Sequence, residues 1–91
     1  MLGKNKVDAA KILLHPVGTE KAIRLLDQNK IVFVVDRRAN KSAIKSAFES
    51  LFKARVAKVN TEITTKSAKK AYIKLHADSS AVEVATNLGL L

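Results

Sequence analysis

The chain has 91 residues, the length of one compact domain, and 47% of them are apolar. It carries 17 Lys and Arg against eight Asp and Glu, a formal charge of +9, with three glycines, one proline and no cysteine. Disulfides and thiolate metal sites are thereby excluded, as is a linker or low-complexity chain, and no apolar run approaches the ~20 residues of a membrane span.

Met1–Ala10 has no strong period and reads as a short N-terminal arm before a single domain, 11–91. Ile12-Leu13-Leu14 is too short for a signal-peptide core. Lys11 to His15, closed by Pro16, predicts a first strand. Gly18 turns the chain, and Thr19 is placed to cap a helix from Glu20 through Gln28, with Ala22, Ile23, Leu25 and Leu26 as its apolar face. Ile31 to Val35 is the clearest strand. Five consecutive apolar residues show no polar face to water, so the pattern predicts a central strand covered on both sides.

Asp36-Arg37-Arg38-Ala39-Asn40 follows as a charged loop, with Asn40 capping a second helix, Lys41 to Ala54. There Ile44, Ala47, Phe48, Leu51 and Phe52 fall on one face, which assigns both phenylalanines to the core. Lys45–Glu49 and Glu49–Lys53 are i,i+4 pairs on its flank. Lys58 to Thr65 alternates, with Val59, Thr61 and Ile63 facing one way and Lys58, Asn60 and Glu62 the other. Lys70 to His76 alternates again: Ala71, Ile73 and Leu75 inward, Tyr72, Lys74 and His76 outward. Lys66-Ser67-Ala68-Lys69 between them is short enough for a hairpin. Ser80 and Glu83 make a capping box for a last helix whose stripe is Ala81, Val84, Ala85 and Leu88, with Gly89 as its stop. The order is β-α-β-α-β-β-α, an α/β (α+β) domain with helices on more than one side of the sheet.

No catalytic constellation accompanies this fold. His15 and His76 are the only histidines and lie far apart in sequence. The serines occupy no nucleophile elbow, and glycines 3, 18 and 89 form no phosphate loop. The reading is therefore a non-enzyme with no cofactor, metal or small-molecule substrate.

The charge is more informative. All 17 basic residues lie before residue 77, whereas the last fifteen residues hold only Asp78 and Glu83. A basic body with a faintly acidic tail implies one surface for a polyanion, because each neutralised phosphate releases condensed counterions. Arg37, Arg38 and Lys41 gather at the start of the second helix, and Lys66, Lys69, Lys70 and Lys74 line the hairpin and its second strand. Tyr72 stands between Lys70 and Lys74, where a phenol can stack on a base or bond a phosphate. Asn60 and Thr61 on the neighbouring strand offer polar groups for sugar or phosphate.

Three stretches are recognisable in order and spacing. Pro16-Val17-Gly18-Thr19-Glu20-Lys21-Ala22, Val59-Asn60-Thr61 and Lys69-Lys70-Ala71-Tyr72-Ile73-Lys74-Leu75 resemble motifs of the L-twenty-three class of large-subunit ribosomal proteins, and the similarity runs from Lys11 to Leu91. The connection from Thr64 to Lys69 is tight, unlike the long tunnel-reaching loop of bacterial relatives, and only Met1–Ala10 precedes the fold, unlike the long basic extension of eukaryotic ones. The resemblance is thus to the archaeal type.

That resemblance implies a four-stranded antiparallel sheet with helices packed against it. It further implies a cytoplasmic protein of the large ribosomal subunit that binds large-subunit rRNA (23S type, third domain) beside the polypeptide exit. Expected neighbours are the L-twenty-nine ribosomal protein, signal recognition particle and the protein-conducting channel, without membrane insertion. Glu20 aligns with the family's docking carboxylate, and Lys21, Asn60, Thr61, Lys69, Lys70, Tyr72 and Lys74 fall in its RNA-facing motifs. A free-standing RNA-binding adapter outside the ribosome shares the same composition; cofractionation with large subunits separates the two.

Overall fold

The computed structural model describes residues 9–64 and 68–91. The arm through residue 8 and the hairpin positions Lys66 and Ser67 lie outside the described residues. The elements run α1 (Ala9–Ile12), β1 (Leu13–Pro16), α2 (Glu20–Leu25, continued by a 3₁₀ turn Leu26–Gln28), β2 (Lys30–Val35), α3 (Lys41–Phe52), β3 (Val56–Ile63), β4 (Lys69–Leu75) and α4 (Ala81–Asn87). No described helix is long and apolar enough to cross a membrane.

One four-stranded sheet has the order β1-β2-β4-β3, and all three pairings are antiparallel. β4 therefore inserts between β2 and β3, which run parallel to each other and are joined through α3. This arrangement is a split β-α-β unit. The insertion makes β2 and β4 the inner strands, and the continuous apolar run of β2 answers to that position.

The core lies on one face. Ile31, Phe33 and Val35 of β2, Ala71, Ile73 and Leu75 of β4, and Val59 of β3 meet Ile44, Ala47 and Phe48 of α3 and Ala81, Val84 and Ala85 of α4. Phe33 and Phe48 contact edge to face at 5.9 Å, and Phe52 closes the cluster 4.7 Å from Phe48. Both phenylalanines of the helix are thus spent on packing. The other face of the sheet is covered only in part: Val32 is buried there, and Ala22 of α2 is buried beside it. A central strand covered on both sides, with helices on more than one side, follows from these two arrangements.

The caps fall where the sequence places them. The side chains of Thr19, Asn40 and Ser80 accept from the backbone N–H groups of Ala22, Ala43 and Glu83. Three local differences have physical causes. The chain from Ala9 to Ile12 is helical and packs against α3, so β1 begins only at Leu13; a bulge between Leu13 and His15 then turns Leu14 outward. Leu51 is 49% exposed, because the seam of α3 narrows at its end and Phe52 takes the contact. Instead of pairing with its lysine neighbours, Glu49 accepts from the N–H of Val56 at 2.9 Å and so fixes the entry to β3.

α3 ends at Lys53, which adopts a left-handed conformation with φ 55° while its N–H bonds to the carbonyl of Glu49. A residue with a Cβ is strained there, and the lysine side chain is exposed. Lys53→Gly is expected to raise stability by about 0.5–1 kcal/mol, a melting temperature several degrees higher in a thermal scan. An unchanged or lower value would mean that glycine's greater freedom in the unfolded chain offsets the relief.

Candidate nucleic-acid interface

Strand alternation and register assemble the second face of the sheet. From β2 it receives Lys30, Val32 and Val34; from β4, Lys74, Tyr72 and Lys70; from β3, Lys58, Asn60 and Glu62. These residues stand in three rows across the strands: Lys30–Lys74–Lys58, Val32–Tyr72–Asn60 and Val34–Lys70–Glu62. The first row sets three lysines opposite one another across the strands. Like charges so placed are destabilising, by about 0.2–1 kcal/mol per pair, so packing within the free protein gives no reason for the row. An anion would relieve it.

α2 lies along this face, and Lys21 and Leu25 project toward it. Together with Lys30, Lys58, Asn60, Tyr72 and Lys74 they line an open hollow of about 500 Å³. A smaller recess of about 40 Å³, lined by Val17, Thr19, Ala22, Val32 and Lys70, sits beside it; Tyr72, Lys21 and Leu25 line both. The Tyr72 hydroxyl donates to Glu62 at 2.8 Å, and this bond, with partial burial, raises the phenol above its ordinary pKa. Tyr72 therefore stays a neutral donor and an aromatic wall. Its tether also occupies Glu62, the one carboxylate in the three rows. Among the described residues none forms an ion pair or side-chain hydrogen bond with Lys21, Lys30, Lys58, Lys74 or Asn60.

The sequence candidates divide among several places. Lys21, Asn60, Lys70, Tyr72 and Lys74 come together on this face. Thr61 and Lys69 alternate to the other side. Thr61 is half-buried, and the Lys69 ammonium donates to the Ala39 carbonyl at 2.6 Å, tying β4 to the loop before α3. That loop carries Arg37 and Arg38, and Lys41 opens α3 just after it; all three are exposed. The N–H of Arg38 donates to the Asp36 carboxylate at 2.9 Å and its guanidinium lies 3.6 Å from it; the backbone bond foremost holds Asp36 below the usual carboxylate range. The loop adjoins the Val35–Lys69–Ile63 row, whereas the hollow adjoins the Lys30 row, five residues or ~17 Å along β2. Lys66 lies outside the described residues. Glu20 sits in the first turn of α2 with its carboxylate 86% exposed, 3.5 Å from Arg24. One helical step, ~100°, separates Glu20 from Lys21, so α2 divides the lysine face from a carboxylate-bearing outer side.

The family model described as Ribosomal protein L23 matches residues 11–83. The chain belongs to the ribosomal protein L23 family. A large ribosomal subunit protein uL23 from Methanococcus vannielii is 47% identical over 85 residues, 92% of this chain and 99% of its own length. Another from Trypanosoma brucei brucei is 43% identical over 89 residues, 97% of this chain; the chain spans 54% of that longer relative. The match to a Methanococcus protein over nearly its whole length agrees with the archaeal type that the resemblance implies. As a member of the L23 family the chain is a structural constituent of the large ribosomal subunit, not an enzyme.

Lys30, Lys58 and Leu25 of the hollow were not singled out from sequence. Lys58 alternates with Asn60, a signal that was available. Lys30 precedes an unbroken apolar run that hides its period, and Leu25 reads as an ordinary core position of its helix.

Proposed function

We propose that the chain binds large-subunit rRNA (23S type, third domain) beside the polypeptide exit through the lysine face of the sheet, and that the outer side of α2 contributes to a docking platform there. The Lys30–Lys74–Lys58 row is the observation that carries the RNA assignment: a destabilising line of cations, flanked by Tyr72 and Asn60, suits a phosphate backbone. Lys21 and Lys70 widen the same field, and Arg37, Arg38 and Lys41 extend it past the far end of β2. Recognition is of folded RNA shape rather than through a helix in a duplex groove, since the six-residue α2 lies along the sheet. The L-twenty-nine ribosomal protein is the expected neighbour, and signal recognition particle and the protein-conducting channel the expected visitors, as the family resemblance implies.

Binding to transcribed large-subunit rRNA fragments across a salt series, with excess tRNA as competitor, tests this. Tight, salt-sensitive binding to one fragment that survives the competitor is the predicted result. Equal affinity for all fragments and for tRNA would reduce the face to a general polyanion binder. Glu20→Ala should leave that RNA affinity within about twofold while weakening capture of signal recognition particle by reconstituted subunits about tenfold, the scale of one lost charge-assisted contact. A loss in RNA affinity instead would contradict the division of α2 into two sides.

A further inference from the structure

We propose that the hollow beside Tyr72 receives a single unpaired nucleotide of the bound RNA, its base against the tyrosine ring and its phosphate among the lysines. The inference rests on the RNA-binding reading above and narrows it to one seat. A smooth basic sheet would suffice for a duplex backbone. This face is instead recessed by about 500 Å³, within the ~300–1,000 Å³ range of small-ligand sites.

The lining divides by chemistry as a nucleotide does. Tyr72 and Leu25 supply an aromatic and an aliphatic wall. Asn60, directly opposite Tyr72 in the β3–β4 register, presents an amide with both donor and acceptor capacity and no hydrogen bond to the described residues. Lys21, Lys30, Lys58 and Lys74 form a cationic rim without a carboxylate among the lining residues. The ring is set before any ligand arrives, because its hydroxyl is tied to Glu62 at 2.8 Å, which reduces the ordering cost of stacking. A free phosphate would use the lysines but leave the two apolar walls and Asn60 idle; a protruding base uses all of them. Stacking of this kind tolerates any base, so sequence choice falls to Asn60.

The chain has one tyrosine and no tryptophan, so its tyrosine emission comes from Tyr72 alone. The probes are two RNA hairpins, identical except that one carries a single bulged 2-aminopurine nucleotide and the other is fully paired. The bulged hairpin is expected to bind about tenfold tighter, quenching both the Tyr72 emission and the 2-aminopurine emission. Tyr72→Leu should abolish the preference, bringing affinity for the bulged hairpin down to that for the paired one, and Tyr72→Phe should retain most of it; circular dichroism checks that both variants fold. Equal affinity for the two hairpins with no quenching would overturn the nucleotide seat and leave RNA binding standing. Failure to bind either hairpin at low salt would remove both.

Discussion

Replacing Lys30, Lys58 and Lys74 together by glutamine should weaken RNA binding on the order of 100-fold near 0.1 M salt and make the free protein more stable. The two effects come from one arrangement. Each lysine that neutralises a phosphate contributes ~0.7–0.9 to the slope of log affinity against log salt, so losing three should flatten that slope by roughly 2–3. The three side chains also oppose one another across β2, β4 and β3, and removing their repulsion should raise the melting temperature by a few degrees. Opposite signs for binding and stability distinguish a functional row from a structural one. A variant that lost both would show the lysines packing the sheet; one that gained stability but kept its RNA affinity would move the RNA elsewhere.

Asn29→Ala should be the most damaging polar substitution away from that face. Asn29 sits just past the 3₁₀ turn in a left-handed conformation, φ 62° and ψ 34°. Its side-chain amide donates toward the carbonyls of Leu75, His76 and Ser79 at 3.0–3.3 Å, and its oxygen accepts from the N–H of Ala81 at 2.8 Å, the first residue of α4. The backbone carbonyl also accepts from Leu75 N–H. One residue thus joins the end of α2, the end of β4 and the start of α4. Alanine would add ~1–2 kcal/mol of backbone strain and leave part-buried carbonyls without a donor, for a total of about 2–4 kcal/mol. At ~4–8 °C per kcal/mol the melting temperature should fall by roughly 8–32 °C. A fall under ~4 °C would show water replacing the amide freely.

Asn29 also marks what sequence reading missed. Helix ends with asparagine just beyond are a known pattern, so the left-handed turn was detectable. Its three-element anchorage was not, because Leu75, His76, Ser79 and Ala81 become its neighbours only through the tertiary fold. Alternation in β3 and β4 and the apolar block of β2 did fix which residues share a face, since a period of two leaves little freedom once one side is buried. The pairing of Lys30 with Lys74 was hidden, because β4 reaches β2 by inserting inside a split unit rather than by chain adjacency. For the same reason Lys69 read as one more hairpin cation, although its ammonium is held by the Ala39 carbonyl on the other side of the sheet. Leu51 failed for a local reason: a helical stripe predicts direction, and the partner surface ran out before the stripe did.

The assignment of RNA to this one face is tested most directly by amide and side-chain NMR shifts of the labelled protein on titration with the tightest-binding rRNA fragment. The largest changes are expected at Lys30, Lys58, Asn60, Lys70, Tyr72 and Lys74, with Lys21 beside them and α4 unmoved. Changes centred on Arg55, Asp78 and α4, with the lysine rows undisturbed, would contradict it.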